Sequence, residues 1–331
     1  MSYATAREVD FSEIPVIDLA GLCAPGEPGL TEVGRQIRRA ATAVGFFYIA
    51  NHGVPQPVID AAFAEAQAFF RRPAEAKAEA RVNALHRGWL APGGAVMDGA
   101  KRPDLKESFI FGLELPPDDP DVLAGKPLMG PNNWPASQPG LRTALSAYYD
   151  AVLACGQRLL RGFAAALDLP ADHFARDFGK PLARGSAIWY PPQPPDLGES
   201  QFGVSAHTDY GCITILTQDG TGGLQVQNRA GEWIAAPPIP GTYVINIGDL
   251  MARWTNDLFV STPHRVVNSS GRERQSIAVF YDPHPDTEIA VLPACVRPGI
   301  PAAYAPTTCG EHILGRFARS FAYRKEAVPA G

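Results

Sequence analysis

Charge is scarce in this 331-residue chain: 19% of its residues are Asp, Glu, Lys or Arg, and the formal balance at pH 7 is -5. A nucleic-acid surface needs a cationic excess to displace counterions from phosphates, and an anionic membrane surface makes a similar demand. Neither is expected as a partner. The sequence also lacks any apolar run approaching the ~18 residues that a spanning helix requires. Cysteine is sparse, and Cys23, Cys155, Cys212, Cys295 and Cys309 form no C-x-x-C pair. Zinc-ribbon and disulfide frameworks therefore have no support, and reduced, mostly buried thiols are expected. Residues 1–8 show no basic segment followed by an apolar stretch, so the expectation is a chain that stays in the cytosol.

What the sequence has in quantity is turn-formers, 32 Gly and 32 Pro, within a composition that is 46% hydrophobic. That combination describes a globular protein with many short strands. Near the front, 14–19 reads as a strand, and a helix is expected from Thr31 as N-cap through Val44, with Gly45 ending it. A strand at 46–49, a turn at 51–54 and a helix from about Pro57 to Phe70 follow. The stretch 87–112 has no clear period beyond a strand near 108–111, and reads as a loop lying over a site. The clearest helix lies between Leu141 and Leu167, where Leu145, Tyr148, Tyr149, Val152, Leu159, Leu160 and Phe163 make a broad apolar face suited to bracing a sheet.

From about Gly185 the chain becomes a series of β-rich runs at 187–190, 213–216, 224–226, 243–247, 265–267 and 276–281, a spacing that suggests a sandwich or barrel. No linker separates the halves. The expectation is one integrated domain over 1–331, with a mixed helical region at 1–180, a β core at 185–285 and a C-terminal helix and tail at 286–331.

Two short segments carry the chemistry: Ser205-Ala206-His207-Thr208-Asp209-Tyr210-Gly211 and Thr262-Pro263-His264-Arg265-Val266. At a strand end, the period of two sends His207 and Asp209 to one face, where both can bind one metal, and His264 can close the triangle from a neighbouring strand. Two imidazoles and one carboxylate with open positions opposite are the ligand set of non-haem iron(II) oxygenases. An H-x-D alone is weak, since roughly one ordinary chain in three with seven histidines carries it by chance. A third element strengthens it. Arg274 and Ser276 share one face of an expected strand after His264, and a buried guanidinium beside a hydroxyl is a natural clamp for a carboxylate. A solvated strand-end arginine is the bland alternative for Arg274 taken alone.

These segments resemble the 2-oxoglutarate and iron(II)-dependent oxygenases of the isopenicillin N synthase-like branch. The resemblance runs over nearly the whole chain: 14–19 and 45–54 at the front, then 190–192, 207–211, 222–226, 246–249, 264–266 and 274–276 in family order. It implies a mainly β fold with flanking helices, a distorted double-stranded β-helix or jelly roll, with Fe(II) near one mouth. It further implies that His207, Asp209 and His264 ligate iron, that Arg274 and Ser276 hold the distal carboxylate of 2-oxoglutarate, and that Tyr190 contacts the same carboxylate. Ile188 stands where the family often has Asn, which leaves that contact less complete. The implied reaction takes O2 and 2-oxoglutarate, releases succinate and CO2, and oxidises a small organic molecule, by hydroxylation in the default case.

Phe280 and Tyr281 follow Ser276 on the same strand, so either is a candidate for the substrate pocket, with Phe109, Phe111 and Trp189 weaker ones. Arg87, Lys101, Arg102 and Lys106 suit an acidic substrate if they turn inward, although a solvated loop is the simpler account. His52 reads as structural, and His86, His173, His284 and His312 lack ligand spacing. Three rivals remain: an ethylene-forming or isopenicillin N synthase-like oxidase, a zinc hydrolase using the same three ligands, and a jelly-roll binding protein without chemistry. The sequence names neither the substrate nor the oligomeric state.

Overall fold

A computed structural model describes residues 4–7, 14–24, 26–96, 102–193 and 202–321. Twelve of its strands, in chain order, are β1 (Val16–Asp18), β2 (Phe46–Ala50), β3 (Gly88–Leu90), β4 (Glu107–Gly112), β5 (Arg184–Tyr190), β6 (Val204–His207), β7 (Ile213–Gln218), β8 (Leu224–Gln227), β9 (Trp233–Ala235), β10 (Thr242–Ile247), β11 (His264–Val266) and β12 (Arg274–Tyr281). Eight join one sheet in the order β1-β2-β10-β7-β12-β5-β4-β3, and β6-β11-β8-β9 form a second. The two sheets face each other as the jelly roll. Four strands of the larger sheet come from the first 112 residues, so the front of the chain extends the barrel sheet rather than standing beside it.

The strand period of two decides what each face does. On the larger sheet Phe47, Ile49, Phe109, Phe111, Ile213, Ile215, Ile245, Ile277 and Val279 face the helices. Their even-numbered neighbours Phe46, Tyr48, Ile110, Ile188, Tyr190 and Val244 turn inward and pack on Val204, Leu224, Val226 and Val266 of the smaller sheet. The polar residues that share that inner parity, among them Ser108, Ser186, Thr214, Gln218, Asn246, Arg274 and Ser276, are therefore carried into the barrel.

The helices are α1 (Ala20–Cys23), α2 (Leu30–Ala43), α3 (Gln56–Phe70), α4 (Ala74–Lys77), α5 (Pro120–Leu123), α6 (Pro139–Ala166), α7 (Asp249–Trp254) and α8 (Cys309–Ser320). The long α6 backs the outer face of the large sheet, burying the apolar side chains its spacing announced. It crosses α2 closely because both helices offer glycine at the contact. A Cβ on Gly34 would lie 2.7 Å from that of Ala165, and one on Gly162 would lie 2.7 Å from Ile37 Cδ1. Truncating a fully buried ring here, as in Phe163→Ala, costs about 3–5 kcal/mol in comparable cores.

Some local expectations need correction. Helix α2 begins at Leu30 with Gly29 as its N-cap, so Thr31 lies inside the first turn and caps nothing. The strands β3, β9 and the helix α7 were not legible from periodicity, being three to six residues long. Among the five cysteines none is paired and four are buried. No described helix is long and apolar enough to cross a membrane.

Candidate metal centre

His207 ends β6 and His264 begins β11, and the two are opposite one another in the antiparallel ladder. Their rings lie 4.3 Å apart between centroids. Asp209, two residues beyond His207, points the same way: its Oδ1 is 3.6 Å from His207 Nε2 and 3.8 Å from His264 Nε2. The three ligand atoms lie within 4.8 Å of one another, and among the described residues no other group of His, Cys, Asp or Glu has this arrangement.

Hydrogen bonds around the triad aim it. His207 Nδ1 donates to the Ser205 carbonyl at 2.8 Å and His264 Nδ1 to the Thr262 carbonyl at 3.2 Å. That leaves the lone pair of each imidazole on Nε2, facing the carboxylate. Asp209 Oδ2 accepts from Thr214 Oγ1 at 2.5 Å and Asn246 Nδ2 at 2.8 Å, which leaves Oδ1 for the centre. Burial opposes ionisation of Asp209, yet His264, His207 and the Thr214 hydroxyl together hold its carboxyl well below the usual range. Burial, and then the nearby His207, push His264 down to about 4. At neutral pH the set thus presents an anionic oxygen and a neutral imidazole as donors. Two nitrogens and one oxygen converging from one side fit a divalent iron with positions open opposite.

The backbone of the 207–211 turn is pinned from behind. A Cβ on Gly211 would fall 1.8 Å from Asp282 Oδ1, so only glycine allows the turn to rest on that buried carboxylate. Asp282 in turn accepts from the Cys212 N–H and pairs with Arg184 at 2.7 Å. Asp249, at the start of α7, accepts from Thr208 Oγ1 and Ser261 Oγ and pairs with Arg316 of α8. One carboxylate so ties both ligand-bearing segments to the C-terminal helix.

Deeper in the barrel Arg274 is 1% exposed. Its Nε donates to the Gly222 carbonyl at 2.5 Å, Nη2 to Gln218 Oε1 at 3.0 Å, and Nη1 to Ser276 Oγ at 3.4 Å. The guanidinium lies 4.7 Å from the Tyr190 ring centroid, and Tyr190 pairs with Arg274 across β5 and β12. No ion pair joins Arg274 to a carboxylate among the described residues. A buried guanidinium lacking its counter-ion is costly, and the hydroxyl and amide beside it are the company an oxyanion needs. Gln218 was missed by sequence reasoning, although strand parity places it on the same inner face.

On the other side of the triad a cleft, partly open to solvent, is lined by His207, Thr208, Asp209 and Tyr210, by Ser108, Ile110, Ser186 and Ile188, and by Phe280, Phe317 and Phe321. Phe280 is on this wall. Tyr281 is not: strand alternation turns it to the outer core, where it packs on Gly156 and Phe178. Phe109 and Phe111 face the helices for the same reason, and Trp189 donates to Glu273 away from the cleft. Of the basic candidates, Lys106 lines the cleft. Arg87 is buried against the carbonyls of Leu85 and Leu128, Arg102 is exposed, and Lys101 lies outside the described residues. His86 also lines the cleft, and His312 donates to the Tyr210 carbonyl at 3.0 Å. Phe317 was overlooked although a signal existed: Thr308 and Glu311 form a capping box, and Ile313 and Phe317 follow at helical spacing.

Comparison with known proteins agrees with this geometry. Residues 14–137 match the family described as non-haem dioxygenase in morphine synthesis N-terminal, and residues 182–283 match the 2OG-Fe(II) oxygenase superfamily. The chain is 34% identical to a 2-oxoglutarate-Fe(II) type oxidoreductase of Emericella nidulans, covering 94% of this chain and 93% of that protein. It is 33% identical to a homoarginine-6-hydroxylase of Glycine max, covering 94% and 98%. Among solved structures, a full-length Neurospora crassa protein in complex with alpha-KG and thymine superimposes with a TM-score of 0.82 at 29% identity, covering 92% of this chain and 96% of that one.

Proposed function

Because the chain belongs to the 2OG-Fe(II) oxygenase superfamily, we propose that His207, Asp209 and His264 hold its iron and that Arg274, with Ser276, receives the distal carboxylate of 2-oxoglutarate. The enzyme is an Fe(II)- and 2-oxoglutarate-dependent dioxygenase that oxidises a small organic molecule and releases succinate and CO2. Hydroxylation is the outcome assigned here. The observation that carries the residue assignment is the convergence of Nε2, Nε2 and Oδ1 within 4.8 Å, each with its other polar atom already committed to a hydrogen bond.

Iron, when bound, activates O2 and orients the keto acid; the chain supplies the rest. Thr214 and Asn246 keep Asp209 Oδ1 turned to the metal position, and the Ser205 and Thr262 carbonyls engage each Nδ1 and so turn each Nε2 toward that position. Arg274 offers its charge and Ser276 its hydroxyl to one end of the cosubstrate, while the Tyr190 ring, its centre 4.7 Å from the guanidinium carbon, supports the guanidinium. Ile188 pairs with Ser276 and also lines the cleft, so it separates the cosubstrate side from the substrate side with hydrocarbon. The rings of Phe280, Phe317 and Phe321 shed water from the reacting side. A formal charge of -5 gives the protein no general attraction to nucleic acid or anionic lipid.

Anaerobic titration of the metal-free protein with Fe(II) and then 2-oxoglutarate tests the assignment. A weak visible charge-transfer band is expected in the wild type, absent in His207→Ala and shifted to much higher 2-oxoglutarate concentration in Arg274→Ala. A full band in either variant, with a native circular dichroism spectrum, overturns the role given to that residue.

A further inference from the structure

Lys106 is the charged group of the cleft that neither the metal nor the keto acid requires. It stands just before β4, lines the cleft, and its side chain is 13% exposed. Among the described residues two side chains of the Lys or Arg type, Lys106 and Arg184, line this cleft, and they are in different situations. Arg184 is paired with Asp282 at 2.7 Å, and its guanidinium lies 5.4 Å from the Phe280 ring centre and 4.8 Å from that of Phe317. Among the described residues the ion pair of Lys106 is with Asp104, Nζ and Oδ2 lying 3.5 Å apart without a hydrogen bond between them, and its charge also reaches Tyr210 and His264. Asp104 is 1% exposed; its Oδ1 accepts from the Ser205 N–H, and its Oδ2 accepts nothing among the described residues. The Lys106 ammonium is not sealed away from solvent but opens on the cleft, where its three donors are free to meet an anion.

The cleft's own carboxylate, Asp209, faces the metal position and is committed to Thr214 and Asn246. Among the described residues nothing else acidic lines this wall. We propose that Lys106 receives the carboxylate of the primary substrate and that the wall of Phe280, Phe317 and Phe321 receives an apolar, ring-sized body. The substrate class is then a small apolar carboxylic acid, an inference that rests on the oxygenase reading of the site. A single charge is favoured over a dianion such as a phosphate monoester because the buried Asp104 carboxylate stands beside Lys106 and repels the second charge. Asp104 also attracts the ammonium, so it holds Lys106 at the mouth of the cleft while leaving its protons to a ligand.

The test uses the full chain loaded with Fe(II) and 2-oxoglutarate under argon, titrated calorimetrically with matched pairs: phenylacetate, 3-phenylpropanoate and 4-phenylbutanoate, each against its primary amide. The acid of at least one pair is expected to bind about tenfold or more tighter than its amide, the size of a charge-assisted hydrogen bond. In Lys106→Met that ratio should fall to within about twofold, and Lys106→Arg should restore most of it. Asp104→Asn keeps the acceptor for Ser205 and removes the competing charge, so acids should bind it a few-fold tighter while amides are unaffected. Equal binding of acid and amide by the wild type, no binding by any acid, or an acid preference kept in Lys106→Met overturns the proposal. So does loss of the charge-transfer band on adding acid, which places the acid in the keto-acid site. Absence of that band before any acid is added is the separate failure, that of the oxygenase reading itself.

Discussion

The oxygen of Asp209 that turns away from the imidazoles takes hydrogen bonds from Thr214 and Asn246, and neither donor touches the metal position. Their task is orientation: without them the carboxylate can rotate and offer either oxygen, or hydrogen-bond a neighbouring imidazole. Groups in this position commonly contribute 10–100-fold to metal affinity. Asn246→Ala should therefore weaken Fe(II) binding by about that factor in an anaerobic titration, with the fold unchanged. The affinity for 2-oxoglutarate at saturating Fe(II) should move much less. Undiminished Fe(II) affinity would mean that the turn backbone alone sets the carboxylate. In the sequence the three ligands were visible because H-x-D and the later His-Arg-Val stand in recognisable company. Thr214 and Gln218 were not, and Asn246 stood in a recognised segment without a role, since an inward polar residue on a strand looks like any outward one until the parity of the sheet is fixed.

At the scale of the element, alternation explains most of what the sequence reading missed. It located the strands at 108–111 and 276–281 but could not say which parity faced the cleft. A one-residue change of parity exchanges the whole set of side chains. Phe109, Phe111 and Tyr281 attracted attention by size and went to the outer core, whereas Ser108, Ile110 and Phe280 line the cleft. The C-terminal helix α8 raises a different question, because it covers the cleft with Phe317 and is tied to the site by His312 on the Tyr210 carbonyl and Arg316 on Asp249. His312 is held below its ordinary value of 6.5, chiefly by burial, with Asp249 opposing. The unfolded chain therefore takes up this proton more readily than the folded one, and stability falls as pH drops below about 6.5 toward the lower folded value. Thermal melts of the metal-free protein between pH 7.5 and 5.5 should show that fall, and His312→Gln, which keeps a donor but cannot be charged, should make it shallower, leaving the part due to His264 and His52, which are also held down. An unchanged slope in the variant would assign the acid lability to other groups.

For the molecule as a whole, the question is whether the helical front and the β core are one folding unit. Strands β1 to β4 come from the front yet lie in the same eight-stranded sheet as β5, β7, β10 and β12, with β2 paired directly to β10 and β4 to β5. Helix α6 then closes the outer face of that sheet. Removing either part would leave unpaired strand edges and an uncovered apolar face, so neither has a complete core alone. One cooperative calorimetric transition is therefore expected. Ligands held between the sheets bear on the same point. 2-Oxoglutarate at a hundredfold excess over its dissociation constant on the Fe(II)-loaded protein adds about 2.7 kcal/mol. Spread over the unfolding entropy of a chain this long, that raises a single transition by about 4 °C. If the halves unfolded independently, the calorimeter would record two transitions and the keto acid would move only the one containing Arg274, by more than this, because a smaller unit has less entropy to offset the same free energy. Disrupting the front strands, for example by breaking β2 with Phe47→Pro, should then unfold the metal site along with the helices if the sheet is one unit, and spare the site if it is two.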